Sequence, residues 1–255
     1  MRRTLIAMSL SLSLVAALLV LQTQPLRSSE PENTCVSCHR ELPDRTLVAH
    51  TFLPWQDSSH AQAGVTCEAC HGGNPVATDR ESAHEGIYSS RDPRSKVYFT
   101  NIPRTCGSCH GEVFRNFSES LHYRQLETTG RGPNCVTCHG FMAIHVLEPE
   151  ELQATCSVCH NERLGISPDK PIQARYLLSM MNRNQTVIDL VDRLIEQERV
   201  QGFLDTAETK ALLVRAVEEM ETVRVKWHSF ALAEIEAGID RAFDLAKAAL
   251  ERLGE

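Results

Sequence analysis

Hydrophobic and polar positions divide this chain into three stretches of different grain. From Leu5 to Leu21 the residues form one apolar run, "LIAMSLSLSLVAALLVL", preceded by Arg2 and Arg3 and followed by polar sequence. A basic start followed by an apolar run reads as an export segment. The run is long for a cleaved hydrophobic region and slightly short for a spanning helix, and no Ala-x-Ala site follows it. Residues 1–29 are therefore expected to be either a removed signal peptide or a retained membrane anchor. The Arg pair does not single out twin-arginine export, because basic residues begin most signals.

Residues 30–171 hold few long periodic stretches, which predicts short helices and loops with almost no sheet. Beyond Pro171 neither proline nor cysteine occurs, and residues 172–255 carry apolar side chains at helical spacing. Leu190 and Leu194 mark one stripe, Leu213, Val217, Met220, Val223, Trp227 and Phe230 a second, and Ile239, Ala242, Ala246, Ala249 and Leu253 its continuation. The pattern predicts a hairpin of two long antiparallel helices, parted at "QGFLDTAE". Gly202 would end the first helix there, and Asp205 with Glu208 would form a capping-box-like start to the second.

Composition changes the picture in two ways. A formal charge of -7 lacks the clustered Lys and Arg that a nucleic-acid partner needs. Aromatic residues are only 5% of the chain, too few to build the core of residues 30–171 unaided. Something other than side chains is expected to fill it.

The cysteines say what. All ten fall into five CxxC pairs, Cys35/Cys38, Cys67/Cys70, Cys106/Cys109, Cys135/Cys138 and Cys156/Cys159, followed at once by His39, His71, His110, His139 and His160. CxxCH is the attachment signature of c-type haem. Two thiols three positions apart lie on one face of a helical turn, where they can form thioethers to the two vinyl groups of a porphyrin edge. The next residue then aims an imidazole at the iron as its proximal ligand. Glycine follows the histidine at Gly72, Gly111 and Gly140, where a left-handed residue would end the turn. Disulfides would not require a histidine behind each pair. Structural zinc favours an even number of knuckles, and thioredoxin-like chemistry uses a single CxxC. Five covalent haems would supply the apolar core, and their irregular spacing along the chain predicts a cluster rather than a solenoid.

Five irons call for up to five further ligands, and six histidines lie outside the motifs: His50, His60, His84, His122, His145 and His228. Neutral imidazole is the commonest metal ligand available to such a chain. Met180, Met181 and Met220 sit at helical spacing and read as core. His228, beside Trp227 on the second long helix, is placed to reach back to a haem of the N-terminal part.

The segments "WQDSSHAQAGVTCEACHGG", "SAHEGIYSSRDPRSKVYFTNIPRTCGSCH" and "FSESLHYRQLETTGRGPNCVTCHG" resemble periplasmic multihaem c-type cytochromes. That broad group includes pentahaem cytochrome c nitrite reductase, hydroxylamine oxidoreductase and smaller electron carriers. The resemblance spans residues 34–165, and a helical C-terminal section is also typical of the group. It implies a mainly α fold with an irregular haem domain, a location outside the cytoplasm, redox partner proteins and a cytochrome c maturation system. In the group a histidine shortly after a serine commonly serves as a distal ligand. That points to His60 behind Ser58 and Ser59, His84 behind Ser82 and His122 behind Ser120. His228 and His50 complete the expected distal set, with His145 as the spare. The chain departs from the group's nitrite reductases in having no CxxCK motif, and it carries Met142 where many relatives have a histidine.

Two functions follow. One is an electron carrier whose bis-histidine haems relay electrons between a donor, such as a membrane quinol-oxidising protein, and a terminal acceptor. The other is a small oxidoreductase acting on a nitrogen or sulfur oxyanion at one open iron lined by Arg124, Tyr123 or Lys96. The complete set of motif histidines and the surplus of others favour the carrier.

Overall fold

A computed structural model describes residues 33–42, 52–140, 146–201 and 207–253. The apolar run of residues 5–21, His50, Met142, His145 and the expected break around Gly202 and Asp205 lie outside them. Among the described residues the fold is mainly helical, with no strand, and no helix is long and apolar enough to cross a membrane.

The first ten helices are short: α1 (Thr34–Arg40), α2 (Phe52–Gln56), α3 (Ser59–Gln62), α4 (Cys67–His71), α5 (Arg80–Ala83), α6 (Ile102–Gly107), α7 (Gly111–Glu119), α8 (Leu121–Thr129), α9 (Cys135–His139) and α10 (Pro149–Ser157). Helices this short are marginal alone, so their caps matter. Asn33, Ser58, Asp79, Ser120 and Asn134 each accept a backbone N–H from the first turn of the helix they precede. Asn134 is buried and also donates to the Phe99 carbonyl at 2.8 Å, which fixes α9 to the loop before α6.

Three longer helices follow, α11 (Lys170–Gln201), α12 (Ala207–Lys226) and α13 (Leu232–Arg252). The expected two-helix hairpin is thus a three-helix bundle. The predicted second helix stops in a 3-10 turn at Trp227–Ser229 and a left-handed Phe230 with φ 58°. Trp227, His228, Ser229 and Phe230 are all weak helix formers. The Ser229 hydroxyl donates to the Lys226 carbonyl at 2.8 Å and accepts from Ala231 N, giving the backbone a local alternative to the helix.

The bundle core reads as three seams at alternating three- and four-residue steps. They are Leu177, Met181, Asn184, Ile188, Val191 and Ile195 on α11, Leu213, Ala216, Met220 and Val223 on α12, and Ile235, Ile239, Ala242, Ala246 and Ala249 on α13. Leu190 and Val217, expected on the apolar stripes, are 38% and 39% exposed and flank them instead. Buried Asn184 donates to the Ile239 carbonyl at 2.8 Å, a polar contact that pins the register of α11 against α13. Small residues on α13 let α12 approach closely. A Cβ at Gly238 would stand 2.5 Å from Val223 Cγ2, and the branched valine cannot swing away. Gly238→Ala is therefore expected to destabilise the bundle by about 1–3 kcal/mol through overpacking. A denaturant melt with unchanged cooperativity and an unchanged midpoint would contradict this close approach.

Candidate haem-binding site

Every CxxCH is folded around one turn, in two settings. Sites I, II and IV, with motif histidines His39, His71 and His139, occupy α1, α4 and α9. At sites III and V only the first cysteine is helical, Cys106 on α6 and Cys156 on α10. The second cysteines, Cys109 and Cys159, and the histidines follow in a turn. Even there the histidine N–H bonds the first cysteine's carbonyl, at 2.9 Å for both His110 and His160. All ten cysteines are free of disulfides, and among the described residues no group of three or more His, Cys, Asp or Glu is gathered as a metal cluster. Structural zinc needs four such ligands together.

Gly72 and Gly140 end their turns at φ 80°, ψ -157° and φ 76°, ψ 174°, a region open essentially to glycine alone. Gly111 departs from the expectation. It is the first residue of α7, with His110 as that helix's N-cap, so the chain runs on into another helix instead of stopping.

The histidines outside the motifs are brought to the motif histidines. Ring centroids lie 6.1 Å apart for His39 and His84, 6.1 Å for His110 and His60, 6.2 Å for His139 and His228, and 5.9 Å for His160 and His122. An iron bonded at about 2 Å to one nitrogen of each of two imidazoles on opposite faces of a porphyrin holds their centroids roughly 6 Å apart. Interplanar angles of 27° to 67° are compatible with this, because each ring can turn about the axis through the metal. Burial holds His39, His71, His122 and His228 below the ordinary imidazole pKa, with the charge of a neighbouring imidazole adding to it. At His228 a bond to the Val225 carbonyl works the other way without reversing the shift. These rings are thus kept in the neutral form that binds metal. Around the His122–His160 pair, Leu121, Val158, Leu164 and Ile166 are about half exposed or more, apolar surface of the kind a porphyrin covers. The residues present fit the group that the motifs imply.

The serine that precedes two of these histidines has a physical role. Ser58 and Ser120 are buried N-caps of α3 and α8, two residues ahead of His60 and His122. Each hydroxyl donates at 2.6 Å to the carbonyl three residues back and accepts at 3.1 Å from the N–H three residues ahead. The histidine is thereby fixed on the first turn of a helix whose entry angle cannot drift. His84 is held differently, as the C-cap of α5 with Nδ1 2.7 Å from the Arg80 carbonyl.

Neighbouring motifs touch in chain order. Asn33 donates to Glu68 at 3.0 Å, tying the start of α1 to α4, and Cys35 lies close enough to Cys67 for their charges to interact. Cys70 is placed likewise beside Cys106 and Cys109, and Cys138 beside Cys156, while Cys106 and Cys135 share a hydrogen bond. Burial and these neighbours push the free thiols of Cys67 and Cys138 up to about 11.

The thiols of Cys38 and Cys159 differ in exposure from those of their motif partners. Both are exposed, whereas their motif partners Cys35 and Cys156 are half-buried. Cys70 and Cys109 are exposed too, but they stand beside each other across adjacent motifs. Cys38 and Cys159 belong to the first and last motifs, which have a neighbour in chain order on one side only. Cys38 sits in the last turn of α1, and Cys159 lies beyond the end of α10 next to the exposed Val158.

The two bundle methionines Met181 and Met220 are core, as their spacing suggested. Tyr123 is core as well, buried among Phe114 and Phe117 with its hydroxyl donated to Glu127 at 2.8 Å. Sequence reasoning missed Phe230, whose ring meets that of His122 edge to face at 4.4 Å. A left-handed phenylalanine leaves no sequence signal of its own.

Repeated CxxCH turns facing paired imidazoles define a protein class, the multihaem c-type cytochromes, and this chain is one of them. A family model, Cytochrome c554 and c-prime, matches residues 16–72, which contain the first two motifs. The multiheme cytochrome MtrA of Shewanella baltica is 26% identical over 148 residues, 56% of this chain and 36% of that protein. The C-type polyheme cytochromes OmcC and OmcB of Geobacter sulfurreducens are each 28% identical, over 92 and 117 residues. Those matches cover 36% and 42% of this chain but only 11% and 14% of the relatives. The chain thus spans about a third or less of the curated relatives it matches. No solved structure matches it.

Proposed function

We propose that this chain is an electron relay carrying five covalent haems, bis-histidine coordinated, that passes electrons between redox partner proteins outside the cytoplasm. The observation that carries the reading is the set of four motif histidines each facing a second imidazole at about 6 Å. Bound haem supplies a one-electron couple at its iron; the protein supplies two saturating ligands, a fixed orientation and a covered apolar edge. The assignment pairs His84 with His39, His60 with His110, His228 with His139 and His122 with His160. Thioether attachment through all five cysteine pairs, Cys38 and Cys159 included, belongs to it. Iron held between two imidazoles has no coordination position left for a substrate. The chain-order contacts between motifs support a relay running from site I to site V, because tunnelling favours near neighbours. Periplasmic location, export by the N-terminal segment, attachment by a cytochrome c maturation system and a quinol-oxidising donor belong to the same reading.

One observation favours keeping an oxidoreductase as the second reading. Among the described residues no imidazole faces His71, whose candidates His50 and His145 lie outside them, and exposed Lys96 approaches the same motif, its Cε 3.8 Å from where a Gly72 Cβ would stand. An open iron at site II with a cation beside it would suit a small anion. Electron paramagnetic resonance of the oxidised holoprotein, with haem counted alongside, separates the two. Five haems with low-spin signals only are expected for the relay, whereas a stoichiometric high-spin signal would replace it with the oxidoreductase.

A further inference from the structure

Ligating imidazoles normally give their second ring nitrogen to an acceptor, which fixes the ring and makes it a stronger electron donor to the metal. Three of the paired histidines have such an acceptor in a backbone carbonyl. His84 Nδ1 is 2.7 Å from Arg80 O, His160 Nδ1 3.1 Å from Ile166 O, and His228 Nδ1 3.3 Å from Val225 O. His122 differs from them. Its Nδ1 is buried without any hydrogen-bond partner, and the ring stands edge to face with Phe230 at a centroid distance of 4.4 Å. Phe230 in turn packs on Phe117, in one apolar cluster with Phe114, Tyr123 and Leu126.

Two effects of this setting act in the same direction. An imidazole with no acceptor at its second nitrogen gives less electron density to iron, which stabilises the ferric state less than the ferrous one. The ferric centre between two neutral imidazoles also carries one more positive charge than the ferrous, and a buried aromatic cluster solvates that extra charge poorly. Both effects raise a reduction potential. Resting on the reading of His122 as the distal ligand of site V, we infer that His122 and Phe230 set the haem of site V to a higher potential than those of sites I and IV. Electrons entering the relay therefore collect at its C-terminal motif, and Phe230 is the residue that maintains the difference. It is a positioning residue, acting through His122 rather than on the iron.

The test is a potentiometric titration of the full-length holoprotein, followed optically and by the low-spin resonances. His122→Ala, His84→Ala and His228→Ala each remove one component from the low-spin set and so assign it. In the unaltered protein the component assigned through His122 is expected to be reduced before the other two; if it is reduced after either, the inference is wrong. Phe230→Asn and Phe230→Leu then probe the cause. Asparagine tolerates the left-handed backbone and offers a carbonyl oxygen in place of the ring, whereas leucine keeps the surroundings apolar. Phe230→Asn is expected to lower the site V component by a tenfold change in its one-electron equilibrium, about 59 mV. Phe230→Leu should leave it high. Equal behaviour of the two variants would overturn the role of Phe230. Should His122→Ala leave every haem low-spin, the ligand assignment itself fails and the inference falls with it, a result distinct from a ligated site V of ordinary potential.

Discussion

Replacing His228 with alanine is expected to leave every haem attached and to turn one of them from low-spin to high-spin. The proposed attachment uses Cys135 and Cys138, which the substitution does not touch, while the imidazole 6.2 Å from that of His139 is lost. Met181 and Met220 are locked in the bundle core and cannot take over. The change should be read as a high-spin resonance equal to one iron per chain, and as new binding of an exogenous ligand such as imidazole that restores the original spectrum. An unchanged low-spin spectrum would remove His228 from the ligand set. The bundle should melt almost as before, since the ring's 3.3 Å bond to the Val225 carbonyl stays within its own turn.

The largest stability effect of a single methyl group is expected at Gly73. Its φ of 87° is strained for any side chain, and a Cβ there would stand 2.5 Å from the Ala83 carbonyl oxygen and 2.7 Å from Ile87 Cδ1. The carbonyl cannot yield cheaply, because it accepts the Asn74 N–H at 3.1 Å and belongs to the residue before His84. Gly73→Ala should cost on the order of 3 kcal/mol or more, combining backbone strain with a backbone clash. It should also disturb the His39–His84 pair, so a thermal melt and the low-spin signal of site I would change together. A melt lowered without any change at site I would separate the loop from the ligand it carries.

The chemistry of this protein is written locally, and so it could be read from the sequence. Cys-x-x-Cys-His needs only one helical turn, and the structure builds that turn whether the motif starts a helix, as at Cys67, or ends one, as at Cys106. The serines before His60 and His122 enter through the resemblance to multihaem cytochromes, and the structure supplies their physical role as helix caps acting within three residues. What could not be read is which ring faces which. His60 meets His110 rather than His71, which lies nearer in the chain, a choice made by tertiary packing and not by spacing. Nor does the motif say how deep its thiols lie: Cys38 and Cys138 hold the same place in identical patterns, yet one is exposed and the other half-buried. The bundle shows the same limit. Apolar periodicity runs through Trp227 and Phe230 as if one helix continued, and the break is set by weak propensity and the Ser229 hydroxyl, neither of which disturbs the stripe. The buried seams were misjudged by one position at Leu190 and Val217 because a stripe of leucines and valines does not say where its centre lies.

The turn at Trp227–Ser229 has a consequence for how the protein comes into being. It carries His228 to site IV and places Phe230 against His122 of site V, although His228 lies 89 residues beyond His139 and 68 beyond His160 in the chain. Under the proposed reading, in which haem is attached after N-terminus-first export, both of these motifs would be presented for attachment before the residues that cover them. On that reading a chain ending ahead of this turn would keep its attachment motifs and lack the imidazole that faces His139 and the ring that covers His122.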